Sequence, residues 1–510
     1  MRNVAIGNNA LNGGGSPDDA VAIGTNAMGN ATGVANPNVA IGNSAGFDLA
    51  DAFNVLVGYG AGYELKDDSA NTLIGHAAGY ECESSGNVGL GYQVLYDNTA
   101  ANSTAIGMQA MKANTTGTGN IGIGYQSLLV HTTGSRNIAI GYQSMVDTDH
   151  HADVQASTDN VFIGYQSGGG EWQTNDSNFN VGIGNYVMDA VMNGALHNVA
   201  VGHQALSALT TGGYNTVVGA GTAGAAVTTG YNNTIVGAQA GAALDTGHTN
   251  TLIGGSTGPA LTNGTYNVCV GYYAGRNSTT MDRVVLVGNN AGAGGLDNTA
   301  EGSISIGYNS MSAHTGGLNI AIGYEAMKDT DGTNITSGST ATVSASTHNI
   351  FIGYQSGAGD WCNGGAAAAS NYNVAIGNYT MDAVLQGALN NTAVGHQSLG
   401  AITTGDGNSV LGYQAGAALT TGYSNAFVGQ YAGVTSSAGG RNVAIGNNAF
   451  RSADDNGKCV AIGANALYNC VSGGEENVAV GYECGYALTS GAKNVVVGSE
   501  ALYAQQTGDG

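Results

Sequence analysis

Short apolar runs recur along this chain, each closed by a glycine. The core of the pattern reads N-x-A-I-G, with its second, third and fourth positions relaxed. It occurs in 28 copies, ending on glycines that run from Gly7, Gly24, Gly42, Gly58 and Gly75 to Gly446, Gly463, Gly481 and Gly498. Of the 27 intervals between these glycines, 22 are 16–18 residues long, so the pattern marks a stacked structural unit rather than a catalytic motif. The stretch RNVAIGNNA, at Arg2–Ala10 and again at Arg441–Ala449, is two well-preserved copies of that unit.

Positions are counted here from the closing glycine as zero. Position −1 is Ile, Val or Leu in every copy, and position −3 is nearly always Val, Ile or Thr. Side chains alternate along a strand, so these two share one face. β-Branched residues suit a pleated, packed surface. Each copy therefore predicts a short strand that ends in a turn at glycine. The −1 and −3 residues form its interior pair, each worth roughly 1.5–3 kcal/mol on burial. A period near 17 residues is too short for helix–turn–helix repeats and fits the coil of a β-solenoid. The predicted fold is all-β: a parallel β-solenoid or β-roll of about 28 coils.

The opposite strand face is apolar too. Position −2 is Ala, Leu, Gly, Phe, Val, Ile or Cys, with Ser305 the sole polar residue and no charge anywhere. A strand with one face in water alternates apolar with polar, and this one does not. Position +4 is always Gly, Leu, Met, Ala or Phe, and position +3 is Ala or Ser in 22 of the 28 copies. A narrow coil buries one face, so the −2 face calls for a second chain. The expectation is a parallel homo-oligomer, a homotrimer, with small residues permitting close approach. Asn occupies position −4 in 23 copies, including Asn3, Asn38, Asn137, Asn319 and Asn442. Stacking would align these amides into a structural ladder.

Composition narrows the function. The chain has 510 residues with 87 Gly, 3 Pro, 2 Trp and 9% charged residues. It is too rich in Val and Ile and too poor in charge for a disordered chain, and it lacks the triplet glycine of collagen. The net charge is −23, from 11 Lys plus Arg against 34 Asp plus Glu, with no basic run. That argues against a nucleic-acid partner and against an anionic membrane surface. No apolar run is long enough to insert in a membrane. The six Cys show no CxxC or Cys/His spacing, so they read as small buried hydrophobes, not as a metal or cofactor site.

The repeats NVAIGNNA, NTLIGHAAGY and NIAIGYQSM resemble the head repeats of trimeric autotransporter adhesins. They are more similar still to the "NTxIGxxAG…TTGxxN" repeats of phage tail-fibre proteins, as in GYQAGAALTTGYSNAFVG at Gly412–Gly429. The likeness covers nearly the whole chain. It implies a left-handed parallel β-roll built from three chains. An autotransporter would be expected to carry a signal peptide, a coiled-coil stalk and a membrane anchor. A phage fibre needs no signal peptide, and the repeat here begins at Asn3, which favours the phage reading.

Longer intervals divide the chain. Regular coils fill 1–140, 207–322 and 400–510, while 141–206 and 323–399 carry inserted loops. The segments Asn180–Leu206 and Asn373–Leu399 match at 20 of 27 positions, so a multi-coil module was duplicated with its insertions. Insertions in solenoids lie on the surface and often face ligands. Each insertion holds one Trp beside an acid, Glu171–Trp172 and Asp360–Trp361. An indole face next to a carboxylate suits a sugar; alternatively, the Trp tucks its loop onto the coil. A glycosidase would need a second carboxylate at a set distance, which sequence does not place. The run MVDTDHHAD at Met145–Asp153 offers Asp147, Asp149, His150, His151 and Asp153 to a metal, but its duplicate MKDTDGTN lacks both His and a solvated loop fits better. Tyr follows the glycine at once in eleven copies, or one residue later as at Tyr186, and reads as packing.

The expectation is a non-enzymatic structural and adhesive fibre shaft on a virion or cell surface, such as a phage tail fibre. Its partners would be its own copies, other fibre or virion proteins, and a host glycan or receptor. A bacterial surface adhesin or filament subunit, and a solenoid polysaccharide depolymerase, are the alternatives.

Overall fold

The computed structural model describes residues 2–504, except positions 15–17, 33–36, 67, 149–155, 315, 329, 331–344, 360, 362–367, 453–456 and 472. The chain divides into two compact units, Met1–Thr249 and Asn250–Gly510. The first stacks fourteen strands, β1 (Val4–Ile6) to β14 (Thr234–Val236), and the second fourteen more, β15 (Thr251–Ile253) to β28 (Val495–Val497). The one helical element among the described residues is a 3-10 turn at Asn298–Ala300. Within each unit every strand has three residues and lies parallel to that of the next coil with no slip in register. β2 (Val21–Ile23), for example, sets Val21, Ala22 and Ile23 beside Val39, Ala40 and Ile41. Each unit is thus a parallel β-solenoid.

The strands face the opposite way from the sequence-based expectation. From β2 to β27 the central −2 residue is buried, while the β-branched −3 and −1 residues are half-buried or exposed. The reason is volume. One coil encloses its −2, +3 and +4 side chains together, and that space cannot also take two β-branched residues. The −2 and +4 positions trade size within it. Ala22 goes with Met28, Gly89 with Leu95 and Ala139 with Met145, whereas Leu56 goes with Gly62, Leu73 with Gly79 and Phe162 with Gly168. A Cβ on Gly168 would stand 2.9 Å from the Phe162 ring, and one on Gly357 2.5 Å from Phe351.

The closing glycine is fixed by the stack. Gly141 has φ +140°, and a Cβ there would lie 2.1 Å from the carbonyl oxygen of Gly164 in the next coil. No L side chain suits that conformation or that contact.

The −4 asparagines form a largely buried column in each unit, broken where another residue takes the position. Asn54 N donates to Asn38 Oδ1 at 2.8 Å, and Ala20 N donates to Asn3 Oδ1 at 3.0 Å. Asn137 N donates to Asn120 Oδ1 at 2.8 Å, and Asn442 N to Asn425 Oδ1 at 2.9 Å. The amide nitrogens reach the far corner of the coil: Asn137 Nδ2 donates to Ser157 O and Asn319 Nδ2 to Ser346 O, both at 2.9 Å. Each side chain satisfies backbone groups that the tight turns would otherwise leave buried and unpaired, a loss of about 1–3 kcal/mol apiece.

The far corner, position +7, changes character along the first unit. Leu49 and Leu65 give way to Cys82, Asn98, Asn114, His131 and Thr148, all buried. Asn114 Nδ2 donates to Asn98 Oδ1 at 2.8 Å, and His131 Nδ1 lies 2.7 Å from Thr148 Oγ1. The second unit repeats the end of this series, with His314 Nδ1 2.6 Å from Thr330 Oγ1. Cys82, Cys269, Cys459, Cys470 and Cys484 are buried thiols; Cys362 lies outside the described residues.

Candidate interaction surface

The inversion leaves two columns of aliphatic side chains on the outside of each unit. Ile183 is 40% exposed, Leu90 47% and Leu411 51%. None of the −3 or −1 positions carries a charge, and polar residues there are limited to scattered Thr and Ser409. Contiguous apolar surface of this kind is rare on a monomer and marks an interaction site.

Aromatic ladders run beside these columns. At +1 in the first unit Tyr125, Tyr142 and Tyr165 stack with centroids 4.9 and 5.2 Å apart. In the second, Tyr308, Tyr324 and Tyr354 stack at 5.2 and 5.0 Å. Next to them Gln109, Gln126, Gln143 and Gln166 hand amide hydrogen bonds from coil to coil at 3.0–3.1 Å. On another edge Phe47, Tyr63, Tyr80 and Tyr96 stack at 5.0, 4.8 and 5.4 Å. Repetition at the coil spacing holds these side chains in place before any partner arrives.

Of the two readings of the loop tryptophans, burial fits the one in which each tucks its loop onto the coil. Trp172 is fully buried, edge-on to Phe162 with centroids 5.9 Å apart. Trp361 is 1% exposed and sits 5.6 Å from Phe351. Neither indole has a face for a ligand, so both act as plugs that anchor their loops, each with its ring N–H buried and without a partner in the protein. Trp172 N also donates to Asp147 O at 3.0 Å. Glu171 is exposed beside its Trp, and Asp360 lies outside the described residues. Asp149, His150, His151 and Asp153 lie outside them as well, and among the described residues no group of three His, Cys, Asp or Glu could hold a metal.

Compared with protein-family models and with curated proteins, the chain matches none.

Two clusters that sequence reasoning passed over flank the aliphatic columns. In the first copy of the module Tyr186 meets Tyr165 edge-on at 5.3 Å and His203 at 6.0 Å. In the second Tyr379 meets Tyr354 at 5.3 Å and His396 at 5.8 Å. Asp189 and Asp382 complete the two sets. Burial pushes both carboxyls above the usual range, and His203 or His396 partly opposes the shift. Burial also raises the Tyr186 and Tyr379 phenols, helped by the neighbouring Tyr and Asp. Asn185 Oδ1 accepts from Tyr165 N, and Asn378 Oδ1 from Tyr354 N, both at 3.0 Å. The signal was in the sequence: NYVMDAV and NYTMDAV both shift the Tyr from +1 to +2 and put an Asp three residues later. Each cluster offers aromatic edges, an imidazole and a carboxyl, and no nucleophile is aligned with a base in either.

A shallow groove of about 420 Å³ opens on the first unit, lined by Leu196, Tyr214, Tyr231, Asn232, Thr211 and Thr229. Tyr214 and Tyr231 are exposed along it, so ring faces and hydroxyls both reach solvent there.

Proposed function

We propose that the protein is a structural and adhesive fibre shaft that assembles as a parallel homotrimer through its outward Val/Ile columns. The observation that carries this is the uncharged aliphatic face left open on both units. Fully burying one such side chain contributes roughly 1.5–3 kcal/mol, and these are already partly covered, so about 1 kcal/mol remains for each. Summed over many coils, that drive holds chains together along their length. The shaft role is mechanical. Stability accumulates coil by coil, and three chains display each surface cluster and loop three times, which multiplies weak contacts by avidity.

The setting we propose is a phage tail fibre or similar virion appendage, with a host glycan or receptor as the target. A bacterial surface adhesin would use the same mechanics. The chemistry of the exposed tyrosines favours a carbohydrate ligand over an acidic one, since the chain is itself strongly acidic.

Ile140→Asp combined with Ile163→Asp places charge on this face without touching the coil interior. Sedimentation velocity should show the variant as a monomer with an unchanged β-type circular dichroism spectrum. A variant that sediments like the parent would remove the face from assembly and the proposal with it.

A further inference from the structure

The asparagine column is interrupted at five positions: Ala20, Ser103, Val284, Ser303 and Cys459. The last break is unlike the others. Cys459 keeps the backbone half of the Asn role, its N–H donating to Asn442 Oδ1 at 2.9 Å. Its thiol takes the path of the missing amide and donates to Gly474 O at 3.1 Å. In the same coil position +7, which is Leu at Leu419 and Leu488, is Cys470. Cys470 Sγ donates to that same Gly474 oxygen at 3.3 Å. The two sulfurs converge on one acceptor, the Gly474 oxygen. Two substitutions at separate positions of the repeat thus fall in one coil and meet across its interior. Cys82 contrasts with them: at +7 in its own coil it faces Ser84, Asn87 and Asn98 and no second sulfur.

We propose that Cys459 and Cys470 form an oxidation site at which a peroxide closes a disulfide across a single coil. With its one proton turned from Gly474 O to Cys459 Sγ, Cys470 favours the Cys459 thiolate and lowers its pKa, while the Cys470 thiol is pushed the other way. Cys459 is therefore the first nucleophile. Its thiolate attacks one oxygen of hydrogen peroxide, the O–O bond breaks, and the departing hydroxide takes a proton to become water. The resulting sulfenic acid is attacked by the Cys470 sulfur. The S–O bond breaks, an S–S bond forms, and the leaving hydroxide takes the Cys470 proton as a second water. Two thiols lose two electrons and one peroxide becomes two waters. Both sulfurs are fully buried, which favours an oxidant as small as peroxide over a bulky disulfide.

The test uses the intact chain. Native protein is treated with hydrogen peroxide, quenched, denatured, alkylated and digested, and its peptides are weighed. The expected product is a cross-linked peptide pair containing Cys459 and Cys470, two hydrogens lighter than the reduced pair and restored by a thiol reductant. In Cys470→Ser the cross-link should vanish and Cys459 should instead be trapped as a sulfenic acid by a dimedone-type reagent. Full alkylation of both thiols after peroxide would overturn the proposal. So would a cross-link from either one to Cys484, or unlinked sulfinic acid at Cys459. Folding of Cys470→Ser is checked by circular dichroism; if it fails, the parent's peptide map alone decides the outcome.

Discussion

The duplicated module lets one design be compared with itself, once in each unit. One contact of its scaffold is held closely: the Tyr165–Tyr186 and Tyr354–Tyr379 pairs have the same 5.3 Å separation and 65° tilt. Both copies pair a −2 Phe with a Trp ten residues on, Phe162 with Trp172 and Phe351 with Trp361. The third Phe at this position, Phe427, has no Trp in its coil. By contrast the loops flanking each Trp have diverged, GGGEWQTNDSNFN against GAGDWCNGGAAAASNYN. What is kept is therefore the buried plug and the surface cluster; what has drifted is the solvent side of the loop.

The largest effect should come from the plugs. Trp172→Ala or Trp361→Ala removes a fully buried ring and should cost about 3–5 kcal/mol locally. Hydrogen exchange should speed up in β10 (Val161–Ile163) for the first and in β20 (Ile350–Ile352) for the second. If the indoles were ligand platforms instead, the exchange rates would not change.

Next come the ladder residues at equivalent points. Asn180 Nδ2 donates to Ala195 O and Asn373 Nδ2 to Ala388 O, both at 2.8 Å. Asn180→Ala and Asn373→Ala should each cost about 1–3 kcal/mol by stranding buried backbone groups. Denaturant titration should give similar losses for the two, and a large difference would break the equivalence of the copies.

The paired carboxyls give a pH signature. A carboxyl whose folded pKa is raised binds its proton more tightly folded than unfolded. Its ionisation weakens the fold as pH climbs from the ordinary Asp value near 3.9 through the raised one, and the loss then stays constant. Asp189→Asn and Asp382→Asn should therefore stabilise the fold at pH 7 by less than about 1 kcal/mol after solvent screening, read as a slightly higher melting temperature. The gain should disappear below pH 4. Equal melting temperatures at neutral pH would show that burial of these carboxyls carries no cost. The smallest effect belongs to Glu171→Gln on the drifted loop surface, where stability should move by no more than about 0.5 kcal/mol.

Much of this was legible in the sequence, and the part that was not has one cause. The strand at each N-x-A-I-G, the turn at glycine and the asparagine column follow from residue types whose geometry is specific. Which strand face looks inward does not. Both faces are apolar, so alternation carries no polarity to read. β-Branched −1 and −3 residues look like core by type, yet in this coil Ala139 is inside and Ile138 and Ile140 are outside. The deciding clue lay six residues downstream, in the exchange of bulk between −2 and +4 that pairs Phe162 with Gly168 and Ala139 with Met145. Trp172 stayed between a sugar platform and a loop plug for the same reason: its partner Phe162 was not yet known to point inward.

The native mass of the intact chain, by light scattering or native mass spectrometry, tests the central claim most directly. Burial of the outward Val/Ile columns between three parallel chains predicts a particle of three times 50.6 kDa. A soluble particle of 50.6 kDa, stable with those columns in water, would contradict it.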